Sequence, residues 1–322
     1  ASGRPIPTYD QDEIEGFAHV FTGWTYPAVA GAASRNNNPR NYLGSLIGVS
    51  AQHDFGEKIL LGGVIARAGL AIDRDLTFSH ENIFNHPNVG PFIGKHLIQK
   101  LVTSNPSPAY VARVTAAFNN NGVGQRGDLA AVVRAVLLDP EARGARKVDP
   151  SYGKLVEPVL FLTGVARGLN AASDGVFLRA QSSTLGQNVF YSPSVFNFYP
   201  PDYSVPGTRL LGPEFGVQTA TTAIARANFT NTLVFSASVA ADTSVYGATG
   251  TAIDLGPYRA AAADAAALAD RFDQYLLGRT MSAAMRAAIV SAVNAVPASD
   301  TLTRARTAAY LVVTSPQYQV QR

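Results

Sequence analysis

The chain has no cysteine, which excludes a disulfide framework, a thiolate metal site and a cysteine nucleophile. It also leaves no thiol from which to read a compartment. Charge is scarce. Charged residues make up 15% of the 322, against roughly 25% in an average soluble domain, and the formal net charge is +3. No Lys/Arg cluster is long enough to track a phosphate backbone, so nucleic acid is excluded as a partner. No apolar run reaches the roughly 18 residues that a transmembrane helix requires. The first nine residues, Ala-Ser-Gly-Arg-Pro-Ile-Pro-Thr-Tyr, lack the apolar centre of a signal peptide, as a mature exported protein would. A surface rich in small polar residues and poor in charge suits such a protein.

What is present is ample apolar material, with 47% hydrophobic residues, enough to bury a core in one large domain or two moderate ones. Helical periodicity dominates. Residues 10–24 read as an amphipathic helix, with Asp10 as cap, Glu13 completing a capping box, and Ile14, Phe17, Ala18, Phe21 and Trp24 forming the buried face. The short apolar runs at 42–47 and 58–65 predict a small hairpin. Further helices are predicted near 74–85, 88–102, 108–119, 127–138, 155–169, 214–236, 259–277, 282–296 and 300–314, with Ser107-Pro108 as a helix start. Subdivisions are expected near residue 150 and in the Gly/Thr-rich segment 238–257. The segments 129–141 and 305–317 share a Leu/Val-rich end followed by Asp or Ser and then Pro, read as a common helix-stop device rather than a duplication. The expected fold is therefore mainly α, a multi-helix assembly with a minor β-hairpin.

Across these helices lies one long irregular segment, Ser192-Pro-Ser-Val-Phe-Asn-Phe-Tyr-Pro-Pro-Asp-Tyr and onward to Gly212-Pro-Glu-Phe215. A proline- and aromatic-rich stretch of this length, when ordered, marks a binding loop or an active-site wall. Two readings of it stay open. Phe196, Phe198, Tyr199 and Tyr203 could stack on sugar rings beside Asp202 and Glu214 as an acid/base pair. Alternatively the aromatics pin the loop to its neighbours and Glu214 favours a helix N-terminus.

Elsewhere the candidate chemistry centres on His53, Asp54 and Lys58, where Gly56 suggests a tight turn that gathers the three. A shared metal site of His53, Asp54 and His86 is a further candidate for a divalent cation. His80 and His86 are six residues apart, which sets them on nearly opposite sides of a helix, unlike the helical zinc motif. His19 reads as a core histidine, and His96 as lying on a helix surface or in the core. Lys154 and Glu157, three apart on a predicted helix, read as a surface or interhelical ion pair. Gly122-Val-Gly124-Gln-Arg-Gly127 matches a dinucleotide-binding pattern by letter, but no strand precedes it, so an interhelical loop and no nucleotide cofactor are expected.

Several of these motifs occur together in one family. Residues 8–24 through Phe21-Thr22-Gly23-Trp24, the His53-Asp54-Phe55-Gly56-Glu57-Lys58 turn, His86-Pro87, Lys154-Leu155-Val156-Glu157-Pro158, Gly186-Gln187 and the aromatic segment are similar, in that order, to the bacterial family called domain of unknown function 1800. The resemblance covers nearly the whole chain. It implies that an upstream portion with a further helix precedes the Tyr9 segment, that Ala1-Ser-Gly-Arg-Pro resembles the hairpin joining the two portions, and that a sulfatase-like protein is a neighbour-encoded partner. It also implies a secreted, periplasmic or cell-surface location. The function expected is binding or assembly at the envelope, linked to extracellular polymer or glycan. The alternative is a metal-assisted or acid/base hydrolase of a glycan, its site shared with the upstream portion.

Overall fold

Asp10 opens the first helix as the sequence predicts. Its side chain accepts the Asp12 N–H and the Glu13 carboxylate accepts the Asp10 N–H, a complete capping box. The structure, a computed structural model, describes residues 7–149, 151–236 and 238–322; the expected joining hairpin at Ala1–Pro5 and the subdivision at residue 150 lie outside them. Helix α1 (Gln11–Val20) is followed by strands β1 (Trp24–Thr25), β2 (Ile47–Gly48), β3 (Lys58–Leu60) and β4 (Val64–Ala66), then helices α2 (Ile72–Asn85) and α3 (Val89–Leu101). The chain forms two units, the first ending at Ile93 and the second starting at Gly94.

The first unit departs from expectation in which face of α1 is buried. Gly16 and Val20 face inward, while Ile14, Ala18 and Phe21 are exposed. Gly16 is the reason. A Cβ there would sit 1.9 Å from the Ile59 carbonyl oxygen, so the helix rests directly on the β3 backbone along its smallest residue. Val20, Leu60 and Ala66 form the small core, with Phe17, Leu70 and Phe78 packed against it. The hairpin also closes within one run rather than between two. Leu60 pairs with Val64 and Lys58 with Ala66, because Gly62 and Gly63 take positive φ of 73° and 71° and reverse the chain there. The earlier run contributes Ile47–Gly48, which pairs instead with Trp24–Thr25.

The second unit is a helical assembly. It contains α4 (Pro108–Asn119), α5 (Leu129–Leu138), α6 (Pro140–Arg143), β5 (Lys154–Leu155), α7 (Pro158–Gly168), β6 (Ala172–Ser173), α8 (Val176–Thr184), α9 (Ala220–Ser236), β7 (Ser238–Val239), β8 (Thr251–Ala252), α10 (Gly256–Arg259), α11 (Ala265–Leu276), α12 (Ala283–Asn294), α13 (Thr301–Thr314), α14 (Pro316–Gln319) and β9 (Val320–Gln321). Ser107 caps α4 through its hydroxyl, which accepts the Tyr110 N–H at 3.1 Å, with Pro108 in the first turn. The 155–169 helix starts later than its periodicity suggests, since the residue before Pro158 is held extended and Lys154–Leu155 pairs with β9. Part of the 238–257 segment forms a small sheet of order β6-β8-β7.

The core of this unit is built by α7, α9, α11, α12 and α13 around Phe161, Leu233, Leu268, Phe272, Ile289 and Val312. Arg304 of α13 is buried there with four of its five N–H groups engaged. It donates to the carbonyls of Ala262, Ala263 and Val293 and to Asn294 Oδ1, at 2.6–3.1 Å. The shared helix-stop device is real. Asp139 ends α5 and caps α6, and Ser315 ends α13 and caps α14, each followed by proline in the new first turn. Among the described residues no helix is long and apolar enough to cross a membrane. Gly16→Ala is expected to destabilise the fold by about 2–3 kcal/mol, the upper range for overpacking. Urea unfolding of the parent and variant checks this.

Candidate functional site

In the first unit, Thr22, which follows α1, starts the arrangement. Its hydroxyl donates to the His19 carbonyl at 2.6 Å and accepts the Asp54 N–H at 2.8 Å. His53 Nδ1 lies 3.0 Å from the Thr22 carbonyl. His53 Nε2 is 3.1 Å from Asp75 Oδ2. Lys58 Nζ reaches the same oxygen at 2.6 Å and donates to the carbonyls of Asp54 at 2.7 Å and Gly56 at 3.0 Å. The ammonium thus has an acceptor for each of its three hydrogens. The side chains of His53, Lys58 and Asp75 are all sealed from solvent. The His-Asp-x-Gly-x-Lys turn is therefore a buried clamp, tying the end of α1, the turn before β3, and α2. Asp75 was not legible as a partner, although Ile72, Asp75 and Ser79 lie at helical spacing on the buried stripe of α2.

Beside the exposed Phe55, Gly56 and Glu57 of the turn, Asp54 is half-exposed. The Gly56 N–H, 2.6 Å from Oδ1, holds its carboxyl below the ordinary carboxylate range, and the charges of His19 and Lys58 add to this. Burial acts against it. His19 Nδ1 lies 3.7 Å from Asp54 Oδ2, and both side chains are partly exposed. His19 is thus a surface residue of α1, because the inward positions are Gly16 and Val20. His80 is exposed, with its ring 6.5 Å from that of Phe21. His86 closes α2, half-buried, and its Nδ1 accepts the Asn88 N–H at 3.2 Å, while His96 is half-buried on α3. Among the described residues, no group of three or more His, Asp or Glu side chains is placed to hold a metal ion, and His53, Asp54 and His86 are not brought together as ligands.

In the second unit the long segment between α8 and α9 is fastened by buried polar groups. Glu214 is sealed; its Oε2 accepts the Ser104 hydroxyl at 2.7 Å and Oε1 lies 4.0 Å from Lys154 Nζ. Lys154 is buried on β5, donates to the Lys100 carbonyl at 2.6 Å, and has its pKa lowered by burial against the pull of Glu214. Lys154 and Glu157 do not lie on a helix as expected, since Pro158 starts it after both residues. Glu157 instead accepts from Tyr199 Oη at 2.5 Å and Gln187 Nε2 at 2.8 Å. Lys100 Nζ donates to Tyr199 Oη at 2.9 Å, and Gln99 Nε2 donates to the Pro201 carbonyl at 2.8 Å.

This arrangement separates the sequence-predicted loop residues. Tyr199 and Glu214 are buried anchors, Phe198 and Tyr203 are half-buried, and Phe196 and Asp202 are exposed. Asp202 and Glu214 therefore do not share a surface. The aromatic groups that sequence reasoning missed are Phe190 and Tyr191, both exposed; their signal was their place just ahead of Ser192, in the same irregular stretch. The glycine loop after α4 is closed to phosphate. Asn120 Oδ1 accepts the N–H groups of Gly122 and Gly124, and Asn121 Oδ1 accepts those of Val123 and Gln125.

Two outcomes follow from the buried charges. Lys58→Met leaves Asp75 sealed without its cation and is expected to cost about 3–5 kcal/mol, with Lys58→Met/Asp75→Leu recovering part of the loss; urea titration measures both. Burial works against ionised Glu157, yet the hydrogen bonds from Tyr199 and Gln187 outweigh it and its pKa is lowered from the ordinary 4.5. A depressed carboxylate contributes stability above its unfolded value, and that contribution is lost as pH falls through the folded one. Thermal melts below pH 4.5 should thus fall less steeply in Glu157→Gln than in the parent.

No curated protein and no solved structure matches the chain. The family described as "Protein of unknown function (DUF1800)" matches residues 2–320, nearly the full length and including both the clamp and the anchored loop. The chain belongs to that family.

Proposed function

We propose that this is an exported or cell-surface protein that acts by binding or assembly at the envelope, where it engages extracellular polymer or glycan. One observation carries the reading. The C-terminal half of the long loop is fixed by Glu157, Tyr199, Glu214 and Gln99, while its N-terminal half holds Phe190, Tyr191, Val195 and Phe196 out to solvent. A rigidly based loop with exposed apolar side chains suits contact with a partner surface. The low charge of the chain supports an extracellular setting, and the partner expected from the family resemblance, a sulfatase-like protein, fits the same polymer context.

The hydrolytic alternative has less to rest on. His53 and Glu214 are both sealed, so the acid/base work would fall to the exposed His19–Asp54 pair. Co-sedimentation with purified envelope polymer separates the readings. The parent is expected to pellet with the polymer, and Val195→Ser/Phe196→Ser to stay in the supernatant, with no release of reducing ends by either. Equal partitioning of parent and variant would sink the binding role; reducing ends released by the parent and lost in His19→Ala would favour the hydrolase.

A further inference from the structure

Residues 188–197 form two successive reverse turns. The Asn188 carbonyl accepts the Tyr191 N–H at 2.9 Å, and the Ser194 carbonyl accepts the Asn197 N–H at 3.2 Å. The third position of the first turn is Phe190, with φ of 68°. A turn with positive φ there calls for glycine or asparagine, because a larger side chain crowds its own backbone. Asn197, with φ of 71°, is a residue that tolerates this region; phenylalanine is not. Phe190 also gains nothing from burial, being 98% exposed. Backbone conformation and solvation therefore both select against phenylalanine at this position, and glycine would serve the fold better. Strain held at an exposed site points to a role outside the fold.

The chemistry around that ring limits what it can meet. From Ala180 to Pro201 there is no charged side chain. An anionic polymer or a nucleic acid phosphate would require Lys or Arg here, and an anionic membrane surface would draw on a basic cluster. What the turns present instead are the rings of Phe190, Tyr191 and Phe196, the isopropyl group of Val195 at 95% exposure, and amide and hydroxyl groups of Asn188 and Ser192. Flat apolar rings beside neutral hydrogen-bonding groups match the C–H faces and hydroxyls of uncharged pyranose units.

We infer that residues 188–197 are a recognition site for uncharged polysaccharide, with the Phe190 ring as the stacking platform. The inference rests on the binding role proposed above and narrows its ligand. Affinity electrophoresis of the full chain tests it, in native gels containing hydroxyethylcellulose, dextran, arabinoxylan or galactomannan, with polygalacturonate as the anionic comparison. Flotation with phosphatidylcholine/phosphatidylglycerol vesicles tests the membrane. The expected result is retardation by at least one uncharged polymer, retained in Phe190→Tyr and weakened about tenfold or more in Phe190→Gly, whose melting temperature equals or exceeds the parent's. A lower melting temperature in Phe190→Gly would make the ring structural and overturn the inference, as would undiminished binding by that variant. Retardation only by polygalacturonate, or vesicle flotation alone, would overturn the ligand class while leaving the binding role standing. Binding to none of these overturns the inference; if co-sedimentation with envelope polymer also fails, the binding role falls with it.

Discussion

The second unit depends on satisfying the buried polar groups of a long, mostly irregular segment. Helices satisfy their own amides, whereas the stretch from Leu185 to Thr219 does so only in part, through its turns and a short 3-10 helix at Pro213–Val217, and a buried polar group without a partner is costly. The structure meets this with side chains drawn from distant parts of the chain. Gln99 and Ser104 serve the loop from the region of α3, Lys154 and Glu157 from β5 and the start of α7, and Gln187 from the loop's own beginning. Tyr199 is the pivot. Its ring is covered, its hydroxyl joins Glu157 and Lys100, and the direction of the segment on either side follows from where it is held.

The first unit solves a similar problem with fewer atoms. One carboxylate, Asp75, receives both an imidazole and an ammonium inside a small apolar core. A buried ion pair seldom adds much stability over a hydrophobic replacement, but it does fix which groups meet. Here it fixes a turn that leaves Asp54 half-exposed and Glu57 exposed. What unit one presents to solvent beside the clamp is the His19–Asp54 pair, while unit two presents the anchored loop.

Much of the fold was legible because its signals are local. The Asp10–Glu13 box, the Ser107-Pro108 cap and the Pro-terminated ends at Asp139 and Ser315 each depend on residues within one turn of helix. What escaped sequence reading depends on partners far along the chain. The inward face of α1 is decided by a glycine meeting the Ile59 carbonyl, which no hydrophobic periodicity reveals. Asp73 and Asp75 look alike as letters, yet only the second lies on the buried stripe. In the loop, aromatic content could not distinguish the buried Tyr199 from the exposed Phe196, or show that Phe190 and Tyr191 are exposed as well.

Arg304 carries a consequence for how the second unit assembles. Its guanidinium is buried against carbonyls from the turn at 262–263 and from the end of α12, as well as the Asn294 side chain. Desolvating that charge before those acceptors are in place is strongly unfavourable. Intermediates in which α13 docks alone are therefore penalised, and α12, α13 and the turn between α10 and α11 gain their packing in one cooperative step. The alanine-rich C-terminal region, whose helices could otherwise form and fray one at a time, is thereby expected to exchange its protected amides as a unit.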